Sequence, residues 1–416
     1  MDGLLRIATG LGVRIQGEHG SHRRSRRATS CRCRNSVTLL AFVLLTVVHP
    51  AGGMQLPVPL RGAQEVQERD SAESRLILRG ADGERLDVWY QGEFVVADDD
   101  RSFTSMAPGS YLIVSERPIG DGRHIELRAD ADGEIDIRYI GALTESPDDS
   151  EGPDWLARIL PGLLQRTDIS AHSRVRRFLD RGGPSAVLEE ISNLDSAVAQ
   201  RAYFLNLFEV ADLNESESQL AIAQAGREVS DDRRLVEILA AGAELAARYA
   251  SSAQAYFEAT ETVGSDRLQR QALELGISRV VLTIEAVQAA FLAVEAMGSD
   301  DDAAAFLSSV PTEAIETAPA AFFHALGTIG SDSEQARVST HIGALPGLSE
   351  DTLVSLLDAA VSGIGDDGEM AGFLVRFAEQ HETGGGLGTA WLAAVRSVGS
   401  ATLREDLLLA ARTDER

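Results

Sequence analysis

The sequence predicts an α+β multi-domain protein, in which a small antiparallel β domain precedes an all-α solenoid of helix-pair repeats. Short segments between residues 73 and 145 alternate apolar and polar residues, which is typical of half-buried strands. A short phrase then recurs about every 34 residues over 191–412. Aromatic residues make up only 5% of the chain, and the second half is dominated by small and aliphatic residues. That composition favours packed helices over a β-sandwich.

Changes in pattern divide the chain into six segments. They are a signal peptide or membrane anchor (1–53), a linker (54–72), the β domain (73–145), an acidic linker (146–154), a helical connector (155–190) and the solenoid (191–412).

The amino terminus has the order of an export signal. Six arginines between Arg23 and Arg34 precede the apolar run Val37–Val48, and small residues follow it. A membrane-spanning helix needs about 20 apolar residues, so cleavage after Ala51 or Gly53 is favoured over an uncleaved anchor. Both alternatives place the bulk of the chain outside the inner membrane, because an arginine cluster stays on the cytoplasmic side. We therefore expect a periplasmic or otherwise extracytoplasmic protein.

Charge and cysteine content exclude several classes of function. The net charge is −26, and since residues 1–53 carry eight arginines against Asp2 and Glu18, the remainder carries about −32. Such a surface repels nucleic acid and anionic lipid, so we expect contact with a membrane only through the N-terminal segment. Cys31 and Cys33 are the only cysteines, and both precede the apolar run. The mature chain would therefore contain no disulfide and no thiolate site.

The β domain is predicted as an antiparallel meander of about six strands. Turn signals separate the strands: Asp-Gly pairs at 82–83, 121–122 and 132–133, and Pro-Gly at 108–109. The alternating segments are Arg75–Leu78, Leu86–Tyr90, Glu93–Val96, Tyr111–Val114, His124–Leu127 and Ile135–Tyr139.

Two acidic clusters in this domain raise the question of a metal site. Asp98–Asp100 is a run of three carboxylates in a predicted loop. Asp130, Asp132 and Asp136, with Gly133, partly match a calcium-binding loop, but the third early ligand and the distal Glu are missing. A hairpin turn is favoured, with a calcium site as the alternative.

The segment after the β domain is the only basic stretch of the mature chain. The acidic stretch 147–153 predicts a linker, and Trp155–Leu160 and Val175–Leu179 have the pattern of amphipathic helices. Gly182-Gly183-Pro184 predicts the end of one helix and the start of the next. The arginines either form ion pairs with acidic neighbours or form a docking patch for an anionic partner. They are Arg158, Arg166, Arg174, Arg176, Arg177 and Arg181.

The repeat phrase has four positions: an apolar residue, then usually Gly, then Ser or Asp, and then an acidic residue. Its occurrences are spaced 35, 34, 34, 32, 35 and 34 residues apart. They begin at Leu194, Val229, Val263, Met297, Ile329, Ile364 and Val398. We expect the apolar residue to be buried, Gly to adopt the left-handed conformation that ends a helix, and Ser or Asp to cap the next helix. Ser331 and Glu334 are predicted to form a capping box.

The segments 321–332 and 359–367 resemble the turn between the two helices of HEAT-like repeats. The resemblance covers roughly residues 190–412, and it implies a solenoid whose inner helices present an extended binding surface. The period also suits tetratricopeptide repeats, but their Trp, Gly-Tyr and terminal Pro positions are not matched.

The order of motifs from Glu93 to Phe208 resembles an extracytoplasmic region attached to BlaR-type antirepressor peptidases. The carrying motifs are Gly-Glu-Phe at 92–94, Asp98–Asp100, Pro-Gly-Ser-Tyr at 108–111, Trp-Leu-Ala-Arg at 155–158 and Arg-Gly-Gly-Pro at 181–184. The resemblance implies a sensory role in the cell envelope. The chain has no His-Glu-x-x-His motif, so the resemblance implies no peptidase activity for it.

No residue is predicted to be catalytic, cofactor-binding or metal-binding, and no cofactor is expected. Five histidines belong to the mature chain, none of them in a His-x-x-x-His pair, and the glycine-rich 384–388 is predicted as an inter-repeat loop. We therefore expect a non-catalytic binding or scaffold module that binds a protein or peptide. The alternatives are a sensory component of an envelope signalling system, or an enzyme in which Asp98–Asp100, His124 and His172 converge between the two domains.

Overall fold

The computed structural model describes residues 66–70, 73–79, 85–117, 122–141, 151–382 and 385–413, which belong to one compact unit. Its strands are β1 (Val66–Asp70), β2 (Glu73–Arg79), β3 (Arg85–Gln91), β4 (Phe94–Val96), β5 (Phe103–Met106), β6 (Tyr111–Arg117), β7 (His124–Ala129) and β8 (Ile135–Ile140). Its helices are α1 (Glu151–Leu164), α2 (Ala171–Ser192), α3 (Ala197–Val210), α4 (Glu215–Glu228), α5 (Asp232–Ala246), α6 (Ala250–Thr260), α7 (Asp266–Arg279), α8 (Ile284–Glu295), α9 (Asp300–Ser309), α10 (Thr312–Thr317), α11 (Pro319–Leu326), α12 (Asp332–Gly343), α13 (Glu350–Gly363), α14 (Asp367–Gln380), α15 (Gly385–Ser397) and α16 (Ala401–Thr413).

Six strands form one antiparallel sheet in the order β1-β2-β3-β6-β7-β8, and β4 and β5 form a separate hairpin between β3 and β6. The register places Leu76, Val88, Val114, Ile125 and Tyr139 in one line across five strands. The first four are fully buried. Because side chains alternate between the two faces of a strand, this line defines the inner face of the sheet.

Helix α1 packs on that inner face and completes the core of the β domain. Trp155, Leu160 and Leu163 belong to the same buried cluster as the strand residues, and this cluster ends at Ile169. The solenoid core begins two residues later, at Ala171. The boundary between the two cores therefore lies near residue 170, and α1 belongs to the β domain instead of forming a separate connector.

The structure confirms all six predicted strands and corrects the boundaries around them. Strands β1 and β5 were not predicted, because neither shows a clear apolar alternation, and β1 lies inside the predicted linker 54–72. Helix α1 begins at Glu151, so 151–154 is helical, where a linker was predicted. The turns at Gly109 and Gly133 are confirmed by φ angles of 80° and 83°. Residues 1–65 and 142–150, including the predicted export signal, lie outside the described residues.

The helices from α2 onward form a two-layer stack of helix pairs, an α-solenoid. In one layer α2, α4, α6, α8, α11, α13 and α15 pack on one another in order, and in the other α3, α5, α7, α9, α12, α14 and α16 do so. One continuous apolar core runs between the layers from Ala171 to Leu407. This arrangement follows from the sequence, since a single pair cannot bury its apolar face and neighbouring pairs must cover it.

Two helices of this stack are interrupted. Gly183 has a non-helical φ of 70° inside α2, immediately before Pro184, which confirms the predicted break. Pro319 separates α10 from α11, because proline lacks the N–H that would continue the helix.

Candidate interaction surface

A row of aspartates joins consecutive repeats along one edge of the solenoid. Each is the first residue of a second-layer helix, and its Oδ1 accepts a hydrogen bond from the backbone N–H of the phrase glycine in the following repeat. We call this row the Asp–Gly ladder. Its rungs are Asp232–Gly264 (3.0 Å), Asp266–Gly298 (3.2 Å), Asp300–Gly330 (3.0 Å), Asp332–Gly365 (3.1 Å) and Asp367–Gly399 (2.7 Å).

The ladder corrects the predicted role of the phrase glycine. None of the five ladder glycines is among the described glycines with positive φ, so a left-handed helix end does not explain them. A Cβ added at Gly399 would lie 3.0 Å from a carboxylate oxygen of Asp367, and at the other four positions the distance would be 3.4–3.6 Å. Only at Gly399 would a side chain therefore crowd the carboxylate of the preceding repeat; at the other four positions a Cβ would be in ordinary van der Waals contact with it.

Sequence reasoning missed this ladder, although a signal for it is present. Ala197 occupies the aspartate position of the first repeat, and in the next repeat Ser230 replaces the glycine that the aspartate would contact. The two residues of a rung are therefore both present or both absent. An aspartate in the first turn also suits the dipole of its own helix, which accounts for the residue type and conceals the partner 30–33 residues away.

The predicted caps are present in six of the seven phrases. The side chains of Ser196, Asp231, Ser299, Ser331, Asp366 and Ser400 each accept a hydrogen bond from a first-turn N–H. Ser265 makes no such bond. The capping box at Ser331 is only half formed, because the Glu334 carboxylate pairs with Arg337. A complete capping box forms at Asn214 and Glu217.

Carboxylates also join repeats along the opposite edge. Glu316 accepts a hydrogen bond from the backbone N–H of Ser349 (2.9 Å), and Glu350 accepts one from Leu387 (3.1 Å). Burial opposes the charge of Glu316, but the bonds from Ser349 and its neighbour Thr352 outweigh it and lower its pKa. Both edges thus fix the spacing of consecutive repeats.

The contact between Glu350 and Leu387 lies in the glycine-rich segment, where the structure corrects the prediction. Helix α15 begins at Gly385, so 385–388 belongs to a helix and not to an inter-repeat loop. Gly385 itself has a left-handed φ of 62°. A Cβ at Gly386 would lie 2.8 Å from Glu350 Oε1. Glycine at this position therefore makes room for the carboxylate that caps α15.

The charge of the solenoid is concentrated in one part of it. Residues 281–382, which we call the acidic segment, contain 17 Asp and Glu but only two basic residues besides histidine, Arg337 and Arg376. Residues 191–280 contain 14 acidic residues and eight arginines. Some carboxylates of the acidic segment form the ladder, the caps or ion pairs. Eight others are exposed and make no hydrogen bond or ion pair with any described residue: Glu285, Asp301, Glu313, Asp351, Asp358, Glu369, Glu379 and Glu382.

An arginine cluster joins the β domain to the first repeat. The Arg174 side chain is only 5% exposed, and its guanidinium donates to Asp100 (2.9 Å), Glu190 (2.7 Å) and the Tyr203 hydroxyl. Burial opposes the charge of Arg174, but these three groups raise its pKa. Burial raises the pKa of Glu190, although Arg174 acts in the opposite direction. The cluster thus holds three charged groups away from most of the solvent.

The same cluster shows what the predicted acidic loop does. Arg177 donates to Asp100 (2.5 Å) and to the Ala97 carbonyl (2.7 Å), and Arg181 lies 3.1 Å from Asp98. Two of the three carboxylates of 98–100 therefore pair with α2. For these arginines the structure supports the interpretation as ion pairs over an anionic docking patch, and Arg166 likewise pairs with Asp195 outside the cluster.

The sequence that resembles a calcium loop forms the β7–β8 hairpin turn, as favoured. The Asp130 carboxylate accepts hydrogen bonds from the backbone N–H groups of Asp132 (2.8 Å) and Glu134 (2.9 Å). Across the described ranges, no group of three or more Asp, Glu, His or Cys is placed to hold a metal ion.

The histidines named for the enzyme alternative do not meet the acidic loop. His124 contacts Ser115 within the sheet (2.8 Å), and His172 contacts Asn206 (2.8 Å). Asp98 and Asp100 contact arginines instead. The convergence that would have indicated a catalytic site is absent from the part of the chain that the structure describes.

A pocket of about 310 Å³ opens between the C-terminal ends of α3 and α5. Its lining includes the apolar Phe208 and Leu245 and the charged Glu209, Glu244 and Arg248. It lies on the first two repeats and therefore outside the acidic segment.

The chain matches no protein-family model, no curated protein and no solved structure. The comparisons thus add no support to the resemblance to BlaR-type proteins. Within the described ranges, none of the helices combines the length and the apolar character that crossing a bilayer requires.

Proposed function

We propose that the protein is a non-catalytic extracytoplasmic binding module whose HEAT-like repeats hold a basic protein or peptide. The observation that carries this proposal is the acidic segment, in which eight exposed carboxylates make no bond with any described residue. Surface charges of one sign repel one another and cost stability. Their concentration in three repeats is easiest to understand if a partner of opposite charge neutralises them.

The partner's chemistry follows from the same charge. A field of one sign steers oppositely charged molecules to the surface and rejects those of like charge. Arginine- or lysine-rich segments of a protein fit this surface, and nucleic acids and anionic lipids do not.

The two edges of the solenoid support such a role mechanically. The Asp–Gly ladder and the contacts of Glu316 and Glu350 tie each repeat to the next. The spacing of the carboxylates is then set before the partner binds. A preorganised surface binds with a smaller loss of conformational entropy.

The location is a proposal too, and it rests on the N-terminal sequence. We propose that residues 1–53 direct export and that the β domain and the solenoid lie outside the inner membrane. Fractionation of cells that express the full chain, with a C-terminal tag, tests this. Mature-size protein in the periplasmic fraction would support cleavage, full-length protein in the membrane pellet an anchor, and full-length protein in the cytosol would exclude export.

The binding proposal is tested with a fluorescent arginine-rich peptide, because its charge represents the proposed class of partner. Its affinity for the full chain is compared with that of a peptide in which each Arg is replaced by citrulline. We expect fluorescence anisotropy to report binding of the arginine peptide only. The affinity should fall as salt is raised from roughly 50 to roughly 300 mM, because the screening length of the electrostatic attraction then falls below about 10 Å.

Two variants of equal net charge locate the binding surface. Glu285→Gln/Asp358→Asn/Glu379→Gln removes three charges from the acidic segment, and Glu209→Gln/Asp212→Asn/Glu261→Gln removes three exposed charges from earlier repeats. We expect the first to weaken binding about tenfold, or about 1.4 kcal/mol, and the second by less than about twofold. Equal effects would show that only overall charge matters and would contradict the proposal.

A further inference from the structure

Strand β8 forms one edge of the six-stranded sheet. Among the described residues it pairs only with β7, so its other side carries unpaired backbone groups. Four of its six side chains are exposed, including Ile137 (45%) and Ile140 (44%). Ile137 lies on the inner face beside the buried Leu127. The apolar inner face of the sheet therefore continues to an edge where nothing described covers it.

This edge has little of the usual protection against strand pairing. Natural edge strands are blocked by charged side chains, especially lysine, by proline, by bulges or by short length. Of these, strand β8 has only two charges of opposite sign, Asp136 and Arg138. It is six residues long, contains three isoleucines and a tyrosine, and pairs with β7 in an unbroken register.

We propose that β8 pairs antiparallel with β8 of a second copy of this chain, about a two-fold axis at Ile137. Residues directly opposite in an antiparallel pair share a face, so Ile137 then lies against Ile137 of the second copy. Asp136 lies opposite Arg138 of the second copy, and Arg138 opposite Asp136. Ile135 and Tyr139 pair in the same way, which joins two six-stranded sheets into one of twelve strands.

The two charges select this register over its neighbours. Moving the axis by one residue to 138 places Arg138 opposite itself, and moving it to 136 places Asp136 opposite itself. Like charges directly opposite are destabilising, and opposite charges contribute roughly 0.2–1 kcal/mol per pair. The charge complementarity of β8 with itself is the reason to assign a second copy, and not an unrelated peptide, to this edge.

The backbone geometry permits this pairing. In an antiparallel strand, each residue directs both its N–H and its C=O to one side, and successive residues alternate between the two sides. Three of the six residues of β8 therefore direct both groups away from β7 and towards the second copy. The pairing can then form up to about six hydrogen bonds. One strand pair buries little area, so we expect a weak, concentration-dependent dimer.

Disulfide trapping tests the register in the full chain. In a Cys31→Ser/Cys33→Ser background, Ile137→Cys places two thiols opposite each other. Directly paired Cα atoms lie about 4.5–5.5 Å apart, which is within disulfide range. We expect mild oxidation to convert Ile137→Cys into a covalent dimer on non-reducing gels. The matched control is Ile140→Cys, which is equally exposed but would face Glu134 of the second copy, and it should remain monomeric.

Charge exchange provides the second arm. Asp136 and Arg138 also face Arg128 and Glu126 of β7. Arg138→Asp and Asp136→Arg should therefore each reduce the yield of the Ile137→Cys dimer several-fold, and Asp136→Arg/Arg138→Asp should restore a large part of it, because it restores the pairs with the second copy but not those with β7. Circular dichroism confirms that each variant is folded. Equal cross-linking at 137 and 140, no cross-linking at 137, or single charge changes without effect would each overturn the proposal. None of these outcomes bears on the acidic segment, so the two proposals fail independently.

Discussion

Replacing Arg174 with methionine is expected to loosen the β domain from the solenoid. Methionine preserves much of the packing against Phe178 and Tyr203 but removes the charge. Breaking a buried ion pair by removing one partner costs about 3–5 kcal/mol. Asp100 would keep Arg177, and both carboxylates retain some contact with water (side chains 22% and 16% exposed). We therefore expect a loss of about 2–4 kcal/mol, somewhat less than for a fully buried pair.

Hydrogen exchange of the β4–β5 hairpin is the most direct assay. The Val96 N–H bonds to Ser170 Oγ at the start of α2, so its protection reports the docking of the hairpin. A loss of 2–4 kcal/mol corresponds to exchange that is roughly 30- to 900-fold faster, and α13–α16 should be unaffected. Glu190→Gln in the Arg174→Met background should recover part of the loss, because it removes the carboxylate left without its partner. Exchange within threefold of the wild type, or equal acceleration in α13–α16, would refute the assigned role of the cluster.

Three further predictions concern the repeats and the buried carboxylate. Asp300→Ala should lower the unfolding free energy by about 1–2 kcal/mol, because it removes a ladder rung. Asp301→Ala, one residue away and without a bond, should lower it by at most about 0.5 kcal/mol; equal losses in urea titrations would contradict the ladder. Gly298→Ala should be neutral or stabilising by up to about 1 kcal/mol, whereas Gly276→Ala should cost about 1–3 kcal/mol. A Cβ would have 3.6 Å of space at the first position and would meet two aromatic rings at 2.6 Å at the second. The folded-state pKa of Glu190 is raised, so its protonated form stabilises the folded state. This stabilisation is fully present below the unfolded pKa of about 4.3 and is lost as the pH rises through the folded-state pKa. Glu190→Gln should therefore reduce the fall in urea midpoint as pH rises from about 4 to 7, and an unchanged slope would contradict this.

The fold could be predicted from the sequence wherever one periodicity dominated. Alternation predicted six strands, and the repeat phrase predicted the helix pairs and most caps, because burial and capping act on residues close in sequence. The two strands that were missed, Val66–Asp70 and Phe103–Met106, show no such alternation. The separate connector was wrong for a different reason. Trp155 and Leu160 show that α1 is amphipathic, but they do not reveal that its apolar face packs on the sheet.

The contacts between repeats could not be predicted from local rules, because those rules already accounted for the same residues. An aspartate in the first turn suits the helix dipole, and a glycine after a helix suits a left-handed cap, so neither residue demanded a distant partner. Only their joint absence at Ala197 and Ser230 indicated a link between repeats. The same reasoning separates two kinds of carboxylate in the solenoid. Those in the ladder are explained by the fold, and Asp358 and Glu379, which bond to no described residue, are not. Exposed carboxylates without a described bond also occur in the earlier repeats, but in 281–382 they are more numerous and less balanced by arginine, and for that reason the proposed binding surface is placed there.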